Sequence, residues 1–145
     1  MPILWVLLLV ATIGAGLLGD QVRRGENRSV AVDLSALAHN LLVYRNALAE
    51  YAYNNPSATG TPADSMLALP SWWIHAPGVT GYIQGGSSYT FYPSPPNGLV
   101  TELAELTESV AVGYASGGQL VSPTGGATGV MLPAAVPSGA AVAYR

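Results

Sequence analysis

Hydrophobic positions change their spacing three times along this chain. Pro2 to Gly19 (PILWVLLLVATIGAGLLG) is an uncharged run in which ten of 18 residues are Ile, Leu or Val. As a helix it spans roughly 27 Å, enough for a hydrocarbon core. Beyond a polar stretch, Val30, Leu34, Leu37, Leu41, Tyr44, Leu48 and Tyr51 step by 4, 3, 4, 3, 4, 3. That spacing predicts an amphipathic helix to about Tyr53, stopped by Asn54-Asn55-Pro56. From there the pattern shortens. Val79–Gln84, Gly85-Gly86 and Ser88–Tyr92 read as a hairpin, and Val110–Ala115, Gly117-Gly118 and Gln119–Ser122 as a second one.

Between and around these pieces lie shorter signals. Ala63–Leu69 reads as a short helix capped near Thr61, and Leu99–Glu108 as a helix capped by Asn97 or Ser94, with Leu99, Leu103, Leu106 and Val110 on one face. Pro123–Gly129 reads as a loop. Pro133 and Pro137 interrupt the tail, leaving Ala140–Tyr144 as a last short strand. Segregated helices and hairpins predict an α+β domain whose long helix lays Leu34, Leu37, Leu41, Tyr44, Leu48 and Tyr51 on a small antiparallel sheet. A coiled-coil seam is the rival for that stripe, but it lasts about three heptads and lacks paired flanking charges.

This divides the chain into a membrane anchor (1–19), a juxtamembrane hinge or solvated helical turn (20–29), and a soluble domain (30–145). Trp5 suits the membrane interface. Ala11, Ala15 and Gly19 recur every fourth residue, a spacing that lets membrane helices approach closely. A cleaved secretory signal is the alternative, but no basic residue precedes the run, and the run exceeds the usual apolar region of such signals. Arg23, Arg24 and Arg28 follow it and, counted alone, favour a cytoplasmic C-terminal part.

Composition removes several classes of function. Charged residues make up 9% of the chain, all five cations are arginine, and net charge is −3, so nucleic acid has no electrostatic purchase. Without cysteine there is no thiolate chemistry and no disulfide. His39 and His75 are far apart with no carboxylate at a ligand spacing, and read as surface or hydrogen-bonded structural histidines. Glu102, Glu105 and Glu108 read as a solvated helix face. No catalytic, cofactor or metal residues are assigned, and the expectation is a protein that is not an enzyme. Trp72-Trp73 is a candidate partner contact, because adjacent aromatics cannot both point into one sheet face; the alternative is that one caps the core and the other shields a loop.

The anchor LLLVATIGAGLLG, the helix HNLLVYRNALAEYAYNNP and the following LPSWW segment give the chain an organisation that resembles type IV pilin-like proteins, and in particular the PilM family of type IVb thin-pilus assembly. The resemblance implies a single-pass bacterial inner-membrane protein with a periplasmic, pilin-like domain, against the arginine count. It implies other pilus-assembly proteins and the membrane as partners, leaves room for a homo-oligomer, and links the protein to plasmid conjugation. The chain departs from true pilins: it lacks a basic leader, a Gly–Phe junction and a glutamate early in the apolar helix. That favours an anchored accessory component over a minor pilin or pseudopilin built into the fibre, and an intact-mass measurement of the native protein separates the two.

Overall fold

A computed structural model of the chain describes residues 23–25, 31 and 33–145. The anchor run with Trp5, Ala11, Ala15 and Gly19, and also Arg28 and Val30, lies outside the described residues. The chain forms two units, Met1–Asp33 and Leu34–Arg145. In the first, residues 23–25 are helical and exposed. Among the described residues, no helix is long and apolar enough to cross a membrane.

The second unit opens with the long helix α1 (residues 34–54). The predicted stripe faces inward: Leu41, Tyr44 and Leu48 are buried, while Leu34, Leu37 and Tyr51 pack at the margins of the same cluster. Ala38, Ala47 and Ala52 widen the buried face and let the helix sit close to its neighbours. The helix stops where Asn55 folds back: its backbone N–H and its side-chain amide both donate to the Tyr51 carbonyl, at 3.0 and 2.9 Å. Pro56 follows and has no N–H with which to continue.

Among the described residues, six strands form one sheet: β1 (Thr80–Gln84), β2 (Ser87–Tyr92), β3 (Val112–Ser116), β4 (Gln119–Ser122), β5 (Gly126–Met131) and β6 (Ala141–Tyr144). Their order is β1-β2-β6-β3-β4-β5, and every neighbouring pair is antiparallel. Both predicted hairpins are present. Gly85 and Gly86 (φ 60° and 82°) join β1 to β2, and Gly117 and Gly118 (φ 57° and 76°) join β3 to β4. Positive φ at both turn residues is the type I′ requirement that glycine meets without strain.

The last strand occupies the middle. β6 pairs with β2 through Tyr89↔Tyr144 and Phe91↔Val142, and with β3 through Val112↔Ala143. Ala140 to Ala143 are fully buried because β6 is covered on both faces. Ala141 and Ala143 belong to the cluster under the helices, whereas Ala140 and Val142 join Phe91, Ala115, Leu120 and Val136 on the reverse face.

Several local expectations give way to tertiary pairing. The loop expected over 123–129 is partly strand, since Gly126–Met131 pairs with β4 across a bulge despite its glycines. The expected helix over 63–69 shrinks to a 3₁₀ turn, Asp64–Met66. Thr61 does not cap it; its hydroxyl donates to the Gly81 carbonyl at 2.6 Å. The second helix, α2 (Leu99–Thr107), starts from Gly98 with no side-chain cap from Asn97 or Ser94. It packs on β3 and β6 through Leu99 and Leu103. Leu106 and Val110 instead stay exposed; α2 ends at Thr107, and the left-handed turn at Glu108 (φ 49°) takes Val110 off the helix on the way into β3.

Gly81 fixes how closely α1 approaches β1. A Cβ at this position would lie 2.6 Å from Tyr44 Cε1 and 2.7 Å from Leu48 Cδ2. Gly81→Ala is therefore expected to destabilise the domain by about 1–3 kcal/mol through overpacking. Urea unfolding checks this by a lower midpoint at unchanged slope. Wild-type stability in this variant would mean that the helix is not seated on the strand.

Candidate interaction surface

Residues 70–79 connect the 3₁₀ turn to β1 across one flank of α1. The segment has no regular hydrogen-bond ladder, so its backbone groups find partners elsewhere. Trp73 N–H donates to the Pro70 carbonyl at 3.0 Å, and Val79 N–H to the Ala76 carbonyl at 3.2 Å, making a turn at each end. In between, Asn40 of α1 clasps the chain. Its Nδ2 donates to the Ile74 carbonyl at 2.7 Å, its Oδ1 accepts from Ala76 N–H at 3.3 Å, and its backbone carbonyl accepts from Trp73 Nε1 at 3.3 Å.

The two tryptophans diverge at the end of the turn that the Trp73 N–H and the Pro70 carbonyl close. Trp73 turns inward and stacks on Tyr44, with ring centroids 5.7 Å apart and planes 23° apart. Trp72 turns outward and stays 71% exposed; Ile74, two residues on, is 80% exposed. Between them and α1 lies an open groove of about 360 Å³, lined by Ala36, His39, Asn40, Val43 and the segment itself. Two large apolar side chains are thus held at the surface by a backbone that is tied down on both sides. Such a patch carries its ordering entropy before a partner arrives, which is what makes an anchor residue effective.

His75 locks the far end of this segment. Its Nδ1 lies 2.6 Å from Asp64 Oδ2 and its Nε2 lies 2.6 Å from the Val79 carbonyl oxygen. A carbonyl can only accept and an ionised carboxylate only accepts, so both ring nitrogens must carry a proton. The ring also packs edge-on against Trp73 at 5.2 Å and tilts over Tyr44 at 5.3 Å. Partial burial works against its charge, but the Val79 carbonyl and the Asp64 carboxylate outweigh it, and the His75 pKa rises above 6.5. Burial, with Asp64 adding to it, pushes the Tyr44 hydroxyl up to about 12, so Tyr44 stays neutral.

Of the residues singled out in the sequence, Trp72 and Trp73 sit here together with Tyr44 of the core stripe. His39 stands on the groove rim, its Nδ1 2.8 Å from the Ser35 carbonyl oxygen, and takes no part in the cluster. Sequence reading missed Asn40, Asp64 and Ile74. Asn40 was visible as an amide interrupting a leucine-rich helix, but nothing local tied it to a segment 34 residues away. Among the described residues, no three His, Cys, Asp or Glu side chains converge to hold a metal.

The family model described as PilM matches residues 6–144. Among solved structures, the chain is similar to a PilM protein from Pseudomonas aeruginosa 2192, at 48% identity and a TM-score of 0.51, covering 77% of this chain and 92% of that one. It also shares its fold with a PilM protein from Escherichia coli B7A, at 23% identity and a TM-score of 0.60, covering 79% and 93%. No curated protein matches the chain.

The His75 geometry predicts a pH dependence of defined sign. A pKa raised on folding gives stability that is complete below the unfolded value of 6.5 and disappears as pH climbs through the folded one. The unfolding free energy is expected to fall over that window, and His75→Ala is expected to flatten the fall. An imidazole titration followed by NMR checks it directly; a His75 midpoint at or below 6.5 would contradict the doubly donating ring.

Proposed function

This chain belongs to the PilM family, a family of pilus biogenesis, and from that premise we propose that it is a non-catalytic accessory component of type IV thin-pilus assembly, working in support of conjugation. In this reading the uncharged N-terminal run anchors it in the inner membrane, and the sheet domain stands in the periplasm. The protein acts by touching other assembly proteins.

The observation that carries the reading is the Trp72–Ile74 surface. A catalytic site would gather converging polar groups around a water-excluding pocket. Here the polar groups of Asn40, Asp64 and His75 are spent on holding a loop, and what the loop presents is apolar. That division of labour suits recognition of another protein. The membrane part rests on the sequence: ten aliphatic residues in a run of 18 favour insertion by several kcal/mol.

A paired substitution tests the reading. Trp72→Ala with Ile74→Ala removes exposed side chains and should leave folding stability within about 0.5 kcal/mol of wild type. Losing a central aromatic anchor costs about 2 kcal/mol or more, on the order of thirty-fold in affinity. Surface pili and plasmid transfer are therefore expected to drop sharply in a strain making the double variant at normal levels. Undiminished piliation in that strain would sink the reading. A periplasm-only reporter fused to the C-terminus tests the orientation separately, and loss of its activity would place the domain on the other side.

A further inference from the structure

Three parts of the fold meet at one titratable ring. His75 lies in the 70–79 segment, Asp64 opens the 3₁₀ turn, and Tyr44 stands on α1. Asp64 is the charged group that faces the imidazole, at 2.6 Å, and Tyr44 is the titratable one, with ring centroids 5.3 Å apart. The Tyr44 hydroxyl is pushed up to about 12, so it stays neutral wherever His75 titrates. The other two neighbours, the Val79 carbonyl at 2.6 Å and the Trp73 ring at 5.2 Å, carry no charge. All four are better served by an imidazolium than by an imidazole. The carboxylate and the carbonyl each need a donor. The two aromatic rings stand within the roughly 6 Å over which a ring attracts a cation.

A neutral ring cannot keep this arrangement. It has one donor, so one of its nitrogens turns a lone pair toward an oxygen lone pair at 2.6 Å. The bond to Asp64 is the one that gives. The Asp64 side chain is 44% exposed, and water can replace the ring there. The Val79 carbonyl meets His75 in a part-buried position, where losing a donor costs more. Proton loss from Nδ1 therefore unties the 3₁₀ turn from the segment. The same step removes the positive charge beside Tyr44 and Trp73, and Trp73 is the inward neighbour of Trp72. Asn40 still holds Ile74 and Ala76, so the segment loosens without leaving α1.

We propose that His75 is a proton-operated latch for the docking surface. Protonated, it ties residues 70–79 to the 3₁₀ turn and fixes Trp72 and Ile74 for a partner; deprotonated, it releases them. The latch is closed at low pH and opens as pH climbs through the His75 midpoint, so partner affinity falls in the same direction. What docks there rests on the Trp72–Ile74 reading; the coupling of His75 to the segment does not.

The test uses the full chain in phosphatidylcholine nanodiscs, nitrogen-labelled, from about pH 5 to 9, a range that brackets an imidazole. The His75 ring signals give the proton's midpoint. Hydrogen exchange at the Leu67 amide, which donates to the Asp64 carbonyl, and at the Trp73 indole gives the opening of the segment. After division by the base-catalysed rate of a free peptide or free tryptophan, exchange at both sites is expected to speed up about ten-fold or more, the equivalent of one lost charge-assisted hydrogen bond. Its midpoint is expected to match that of the ring. Asp64→Asn, an exposed change, is expected to lower the ring's midpoint and to carry the exchange transition down with it. His75→Gln, which keeps a donor for Val79 and does not titrate, is expected to abolish the transition. Exchange that ignores the ring's midpoint, or a transition that persists in His75→Gln, overturns the latch. If the latch behaves as described while the Trp72/Ile74 double variant assembles pili normally, only the pilus-assembly reading falls. If that variant loses its pili while exchange ignores His75, only the latch falls.

Discussion

Tyr44 is the contact through which the sheet, the helix and the exposed surface depend on one another. Its ring lies where a Cβ of Gly81 would be, so it bears directly on the β1 backbone. The same ring carries Trp73 on one side and His75 on another. A tyrosine can do this because it is rigid, with two rotatable bonds, and large enough to touch three elements at once. The packing of α1 on the sheet thereby sets the position of residues 70–79, although that segment makes few regular backbone bonds of its own.

That dependence explains why Trp72 and Ile74 stay in water. Nothing in their own chemistry favours exposure; burying either would be worth about 2 kcal/mol. Their backbone is held by the Asn40 amide, the Trp73 indole and the His75 imidazolium, all of which make bonds that a collapsed loop would break. Rearranging the loop to hide Trp72 would strand donors and acceptors that are now satisfied, at a cost comparable to the gain. The exposed patch is thus enforced by polar groups beneath it.

What could be read from the sequence was what depends on neighbours in the chain. The 4, 3, 4, 3 spacing of α1 and the two Gly-Gly turns encode their structures locally, by periodicity and by positive φ. The divergence of Trp72 and Trp73 was also expected, but the chain reaches it through a turn from Pro70 to Trp73 and not through strand alternation. The central position of β6 was not readable, because Ala141–Tyr144 says only that a short strand is present; its place is decided by two hairpins that each need a partner edge. β5 was hidden for a related reason. Its glycines are poor strand formers, and only the free edge of β4 draws them into line. The clasp of Asn40, and the pairing of His75 with Asp64, join residues 11 to 36 positions apart through the fold.

The scarcity of charge sharpens the role of each charge that remains. In a highly charged domain, an arginine finds a surface carboxylate within reach, and the pair contributes little to stability or to choice of partner. From Leu34 to Arg145 there are few such encounters, and Asp64 is committed to His75 at 2.6 Å. The exposed Trp72 and Ile74 side chains carry no charge of their own. The Tyr44 contact that seats α1 on β1 also carries Trp73, so the exposed Trp72–Ile74 patch keeps its place only while the fold is intact.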